Sequence, residues 1–135
     1  MVIGVYTICM TYIYALLISL ALDGLWLGLI SKAFYKKHIG YLMTENPKLI
    51  FAGIFYLILS LAIVMLIINP ALAQQFSTLK VFAYGCLLGL VIYAGYDMTN
   101  QAIIKDWPLI VTIVDLAWGT LMTGLVALFT WLIVS

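Results

Sequence analysis

The chain has no arginine, one histidine and two cysteines, and only 8% of its 135 residues are charged. Each shortage removes a class of function. Six lysines spread along the sequence make no basic surface for nucleic acid, so no nucleic-acid partner is expected. One histidine, two cysteines and five scattered acids do not form the ligand spacing of a zinc-type metal site. Cys9 and Cys86 stand alone in apolar runs with no Cys-x-x-Cys pairing, which argues against a disulfide framework or redox pair and reads them as small buried apolar residues. A soluble catalytic domain is excluded as well, because such domains are about a quarter charged.

Hydrocarbon takes the place of charge. The chain is 67% hydrophobic with a mean hydropathy of +1.22, the composition of an integral membrane protein whose first partner is the lipid bilayer. A spanning helix needs about 20 mainly apolar residues, and its backbone hydrogen bonds must close internally. Four segments qualify: Val2 to Ile30, Leu49 to Ile68, Val81 to Ile104 and Pro108 to Val134. The start of the chain has no basic region, and its apolar run exceeds a signal-peptide core of about 7–15 residues, so it is expected to remain as the first span. The expectation is an all-α polytopic membrane protein, with residues 1–135 forming one transmembrane domain, a compact four-helix bundle.

Asn46-Pro47 and Asn69-Pro70 read as boundary signals, and Pro108 suits a first helical turn. Lys32, Lys36, Lys37, Lys48 and Lys105 fall in the first and third connections, against Lys80 alone in the second. The positive-inside rule therefore predicts that both termini are extracytoplasmic. Within the first connection Phe34, Tyr35, Ile39, Leu42 and Met43 interleave with Lys32, Lys36, Lys37 and His38. That pattern predicts a short amphipathic segment at the headgroups, read first as an aromatic and lysine anchor and second as a contact for anionic lipid or a partner.

Asp23, Asp97 and Asp115 are the informative residues, because an ionisable group at membrane depth is costly and faces a protein interior or wet cavity. Each lies seven residues from the cytoplasmic end of its span, on the order of 10 Å deep at 1.5 Å per residue. Their faces are polar or small. Gly85, Gly89, Tyr93, Asp97 and Asn100 share one stripe on the third span, and Asp115, Gly119, Thr123 and Ala127 share one on the fourth, with Thr112 and Trp118 alongside. On the first span Ser19, Asp23 and Trp26 share a face beside Gly24-x-x-x-Gly28, and on the second Gly53, Tyr56 and Ser60 form the polar stripe. Small residues let membrane helices approach and polar ones bond across the contact. The stripes are thus expected to converge on a cytoplasm-facing pocket lined by Asp23, Trp26, Tyr56, Tyr93, Asp97, Asn100, Asp115 and Trp118.

No lysine lies inside a span to neutralise the three acids, so a proton or bound cation is expected to compensate them. The alternative is that they are protonated and fix helix register through hydrogen bonds. Asp23-x-x-Trp26 and Asp115-x-x-Trp118 repeat one pattern on spans of opposite direction, a match of two residues with chance as its default explanation.

Leu22-Asp23-x-x-Trp26-Leu27-Gly28, Phe34-Tyr35, Phe55-Tyr56, Tyr93-x-x-Tyr96-Asp97-x-Thr99-Asn100, Trp107-Pro108 and Asp115-x-x-Trp118-Gly119-Thr120 together resemble a small bacterial membrane family, domain of unknown function 2177. The resemblance runs over essentially the whole chain. It implies a four-helix protein of the bacterial inner membrane and supplies no substrate, cofactor or catalytic residue.

Three functions follow from the pocket. In the first, the acids and the rings of Trp26, Trp118, Tyr93 and Tyr56 bind or transport a proton, a metal cation or a small cationic solute. Four helices make a thin wall for a pathway, so transport points to a homodimer, whereas a larger membrane-protein partner belongs to the third function below. In the second, Asp23, Asp97, Asn100 and Asp115 offer Mg²⁺-type oxygen ligands to an enzyme acting on a lipid or isoprenoid. The missing arginine and the absence of denser Asp motifs weigh against it. In the third, the pocket only fixes the bundle of an accessory subunit. A Schiff-base pigment is not expected, because every lysine lies at a span boundary or in a connection.

Overall fold

The computed structural model describes residues 4–135, so Val2 and Ile3 of the expected first span lie outside the described residues. Among the described residues five helices of eight residues or more follow one another: α1 Val5–Ile30, α2 Lys32–Ile39, α3 Leu49–Gln74, α4 Thr78–Ile103 and α5 Leu109–Val134. Each of α1, α3, α4 and α5 has 26 residues. At 1.5 Å per residue they are about 39 Å long, enough to cross a hydrocarbon layer of about 30 Å. No strand occurs among the described residues. The protein is an all-α membrane bundle with four spans, and α2 is a short helix between the first two.

The outside of the bundle is apolar, as lipid requires, and its inside combines small and polar residues with large aliphatic ones. Outward positions such as Leu29, Ile50 and Ile103 are well exposed to the surroundings. On α1 the inward positions are small or polar, Thr11, Ala15, Ser19 and Asp23 at four-residue steps, whereas α3 fills the core with Leu59, Ile63, Val64 and Ile68. The central span is α5, which buries Thr112, Asp115, Gly119, Thr123 and Ala127 along one stripe and packs against α4, α1 and the middle of α3.

The α4–α5 contact is the closest. A Cβ added to Gly85 would lie 2.8 Å from both Gly124 Cα and Ala127 Cβ, and one added to Gly89 would come within 2.7 Å of Thr123. One four-residue step further, the Tyr93 ring covers Gly119. The antiparallel pair therefore advances in register, Gly85 on Ala127, Gly89 on Thr123 and Tyr93 on Gly119. Its next step sets Asp97 against Asp115.

Several details differ from the sequence expectation. Asn69-Pro70 does not end the second span, since the helix runs on to Gln74. A π-helical turn at Val64–Ile68 directly precedes the proline, with Asn69 N–H bonded to Val64 O. The wider turn gives the Pro70 ring room where a regular turn would clash. Gln75, with φ 52°, closes the helix, and the Ser77 hydroxyl accepts from Lys80 N to start α4. Cys9 is exposed and Cys86 half-buried, because an apolar side chain in lipid gains nothing by hiding from it. A methyl group added at Gly24, Gly28 or Gly53 would meet no neighbour within 4 Å, so these glycines are not packing surfaces inside the bundle.

Candidate polar site beneath the interfacial helix

The site is built where α1 leaves its regular course. Trp26–Ile30 forms a π-helical turn, and Ser31 returns both its N–H (2.7 Å) and its hydroxyl (2.8 Å) to Trp26 O. This turn sends the chain into α2, which folds back over the ends of α1 and α5. Extra-residue turns of this kind are frequent at functional sites.

Two mirrored groups of residues meet there. Asp23 accepts from Tyr56 OH and, at 2.8 Å, from Trp118 Nε1. Asp115 accepts from Tyr35 OH, which in turn accepts from Trp26 Nε1 at 3.3 Å. Between them the indoles of Trp26 and Trp118 stack face to face, 4.5 Å between centroids and 10° from parallel. Each Asp-x-x-Trp segment thus supplies a carboxyl to one half and an indole to the other. The flanking doublets behave alike, Phe34 edge-on to Tyr35 and Phe55 edge-on to Tyr56. The donors named to Asp23 and Asp115 are neutral groups, so these hydrogen bonds place no counter-charge on either acid.

Asp97 is different. It is 0% exposed, and neither of its oxygens has a hydrogen-bond donor. The α4–α5 register sets it against Asp115. Two ionised carboxylates offer only acceptors to each other.

Over these acids lies a cavity of about 540 Å³. Asp23 and Asp115 lie on its lining with Trp26, Trp118, Tyr56 and Tyr93; Leu27, Phe55, Ile39 and Met43 make its apolar walls, and Lys32 and Tyr35 come from α2. Trp107 also borders it, from the α4–α5 connection. A closed ring of bonds fixes that residue: Trp107 Nε1 donates to Thr112 Oγ1 (3.1 Å), Thr112 donates to Gln101 Oε1 (2.9 Å), and Gln101 Nε2 donates to Trp107 O (3.1 Å). Asp106, at φ 59°, makes the turn, and Tyr41 OH reaches its carbonyl at 3.3 Å.

Of the eight residues expected to line one pocket, six do so: Asp23, Trp26, Tyr56, Tyr93, Asp115 and Trp118. Asp97 joins the group from below, through Asp115, and Asn100 lies outside the cavity lining. The stacked indoles leave no space for an ion between them, and all four of Trp26, Trp118, Tyr93 and Tyr56 border the cavity. Among the described residues, no three His, Cys, Asp or Glu side chains gather into a metal-holding group. Tyr35 and Lys32 also belong to the site, from a segment whose composition is that of a headgroup anchor or contact. The paired Phe-Tyr and Asp-x-x-Trp doublets were the available signal.

The family described as "Predicted membrane protein (DUF2177)" matches residues 8–132. The chain belongs to this family. The matched stretch contains the four acids and indoles of both Asp-x-x-Trp segments, so the mirrored site lies wholly inside the family region. Neither the curated proteins nor the solved structures contain a match to this DUF2177 member.

Proposed function

We propose that this membrane protein binds an amphiphilic organic cation in the cavity under α2, on the cytoplasmic side of a bacterial inner membrane. The observation that carries the reading is a ligand-sized, aromatic-walled cavity with two carboxylates on its lining. A volume of about 540 Å³ falls in the range of about 300–1,000 Å³ typical of small-molecule sites and far exceeds the need of a bare ion. Asp23 and Asp115 outnumber Lys32, the lysine on the lining, so charge complementarity favours a cation over an anion. Leu27, Ile39 and Met43 favour a ligand with apolar bulk, one that partitions into the headgroup layer before it enters. The sidedness rests on the lysines, five of six in the connections at this end. Metal-dependent lipid chemistry fits less well, because the acids divide between two hydrogen-bonded groups rather than converging on one ion.

Thermal unfolding in detergent with tetraphenylphosphonium or tetraphenylborate tests this, since the two ions share shape and differ in sign. A ligand that binds the folded state stabilises it with the logarithm of its concentration. The cation is expected to raise the unfolding temperature saturably and the anion to leave it unchanged. Equal effects of the two ions, or no effect of either, would contradict a cation site.

A further inference from the structure

We infer that Asp97 and Asp115 hold one exchangeable proton between them, and that a cation entering the cavity displaces it. The first half stands on geometry alone; the second rests on the cation-binding reading above.

The register of α4 on α5 leads directly to the pair. Tyr93 covers Gly119, and one step along both helices Asp97 faces Asp115. Asp97 is wholly buried and both its oxygens lack a donor. The titratable groups on the cavity beside the pair come from every neighbouring helix. They are Asp23 from α1, Tyr35 and Lys32 from α2, Tyr56 from α3 and Tyr93 and Tyr96 from α4. Tyr56 is committed to Asp23 and Tyr35 to Asp115, which leaves neither as a donor for Asp97.

A single proton resolves this arrangement. With the proton on Asp97, its O–H donates to Asp115, and the orphaned carboxyl acquires a partner. Asp115 then receives two donors, Tyr35 and Asp97, as Asp23 receives two, Tyr56 and Trp118. The mirrored halves of the site become equivalent in hydrogen bonding. They differ in one respect, that the second donor to Asp115 is titratable while Trp118 is not. Facing carboxylates share a proton because both cannot stay ionised at such range.

Exchange follows from charge. When a cation settles against Asp115, the Asp97 O–H bond breaks, the proton passes to solvent, and the carboxylate left behind offsets the new positive charge. One cation enters and one proton leaves, so the net charge of the site is unchanged. Proton and cation then compete, and apparent cation affinity is expected to rise up to about tenfold per pH unit while the pair remains protonated.

Infrared spectroscopy of the protein in lipid tests the proton directly, through the carbonyl stretch of a protonated carboxyl group. That band is expected at neutral pH in the native protein and in Asp23→Asn, and is expected to vanish in Asp97→Asn. Its absence from the native protein, its persistence in Asp97→Asn, or a sodium-dependent stabilisation in its place would overturn the shared proton. A measurement on the native protein alone covers failure of a variant to fold: tetraphenylphosphonium added in weak buffer with a pH indicator should release about one proton per cation bound. Binding without release would overturn the exchange and leave the cation site standing. No binding at all would overturn both the cation site and the exchange, while the infrared band still decides the proton.

Discussion

Tyr35 donates its hydroxyl proton to Asp115, and this bond ties the interfacial helix α2 to the central span α5. Because Trp26 donates to the same hydroxyl, the end of α1, the short helix and α5 are held as one unit at the mouth of the cavity. A segment that by composition looks like a surface anchor is therefore part of the polar site.

The bond has a pH signature. Burial first, and then donation to Asp115, hold the Tyr35 phenol above the ordinary tyrosine range. In the unfolded chain it titrates near pH 10, roughly the free value. Between that pH and its higher folded value, the folded state keeps a proton that the unfolded state has lost. The stabilisation from Tyr35 is thus complete below about pH 10 and declines as the pH rises further. Tyr35→Phe is expected to flatten the alkaline decline of the unfolding temperature. Identical alkaline slopes in the two proteins would show that Tyr35 is not so held.

Trp118 makes two separable contributions, a hydrogen bond to Asp23 and a stack on Trp26. Trp118→Phe removes the first and retains most of the second, at an expected cost of about 1.5–3 kcal/mol for a bond to a charged group. Trp118→Leu removes both and should cost about 0.5–1.5 kcal/mol more, the worth of an aromatic pair. Denaturant titration of both variants provides the comparison. A leucine variant as stable as the phenylalanine variant would mean the stack contributes nothing.

The glycines are expected to divide sharply. Gly89→Ala places a methyl group against Thr123 and the Gly119 carbonyl, and should destabilise the bundle by about 1–3 kcal/mol through overpacking. Gly28→Ala points into open space and should be neutral or slightly stabilising, since alanine is the better helix former. Unfolding curves that rank the two the other way would contradict the α4–α5 contact described above.

What could be read from the sequence follows from how a membrane helix is written. In a helix otherwise made of Leu, Ile and Val, a small or polar residue stands out, and its 3.6-residue period shows its face. The stripe from Asp115 through Gly119 and Thr123 to Ala127 was legible for that reason, and all four residues are buried. Helix continuity at Pro70 was not legible, because a proline reads as a boundary unless the wide turn before it is known. Asn100 shares the α4 stripe in sequence, yet it is not on the cavity lining, which Tyr96 of the same helix reaches. Tyr35 was hidden by its neighbours: three lysines and a histidine within seven residues describe a headgroup segment well enough that no further role is demanded.

Sidedness is open to a simple labelling experiment. In a chain with Cys9 and Cys86 replaced by alanine, Lys36→Cys and Lys80→Cys report opposite ends of the bundle. A membrane-impermeant maleimide is expected to reach Lys80→Cys in intact spheroplasts and Lys36→Cys only after the membrane is opened. The reverse pattern would place the cavity on the extracytoplasmic side.

Equilibrium dialysis of labelled tetraphenylphosphonium against the purified protein at neutral pH, with Asp115→Asn alongside, tests the central claim most directly. Saturable binding to the native protein is expected, weakened about tenfold or more by the substitution, a loss of about 1.4 kcal/mol or more. No saturable binding to the native protein, or equal affinity in both, would contradict it.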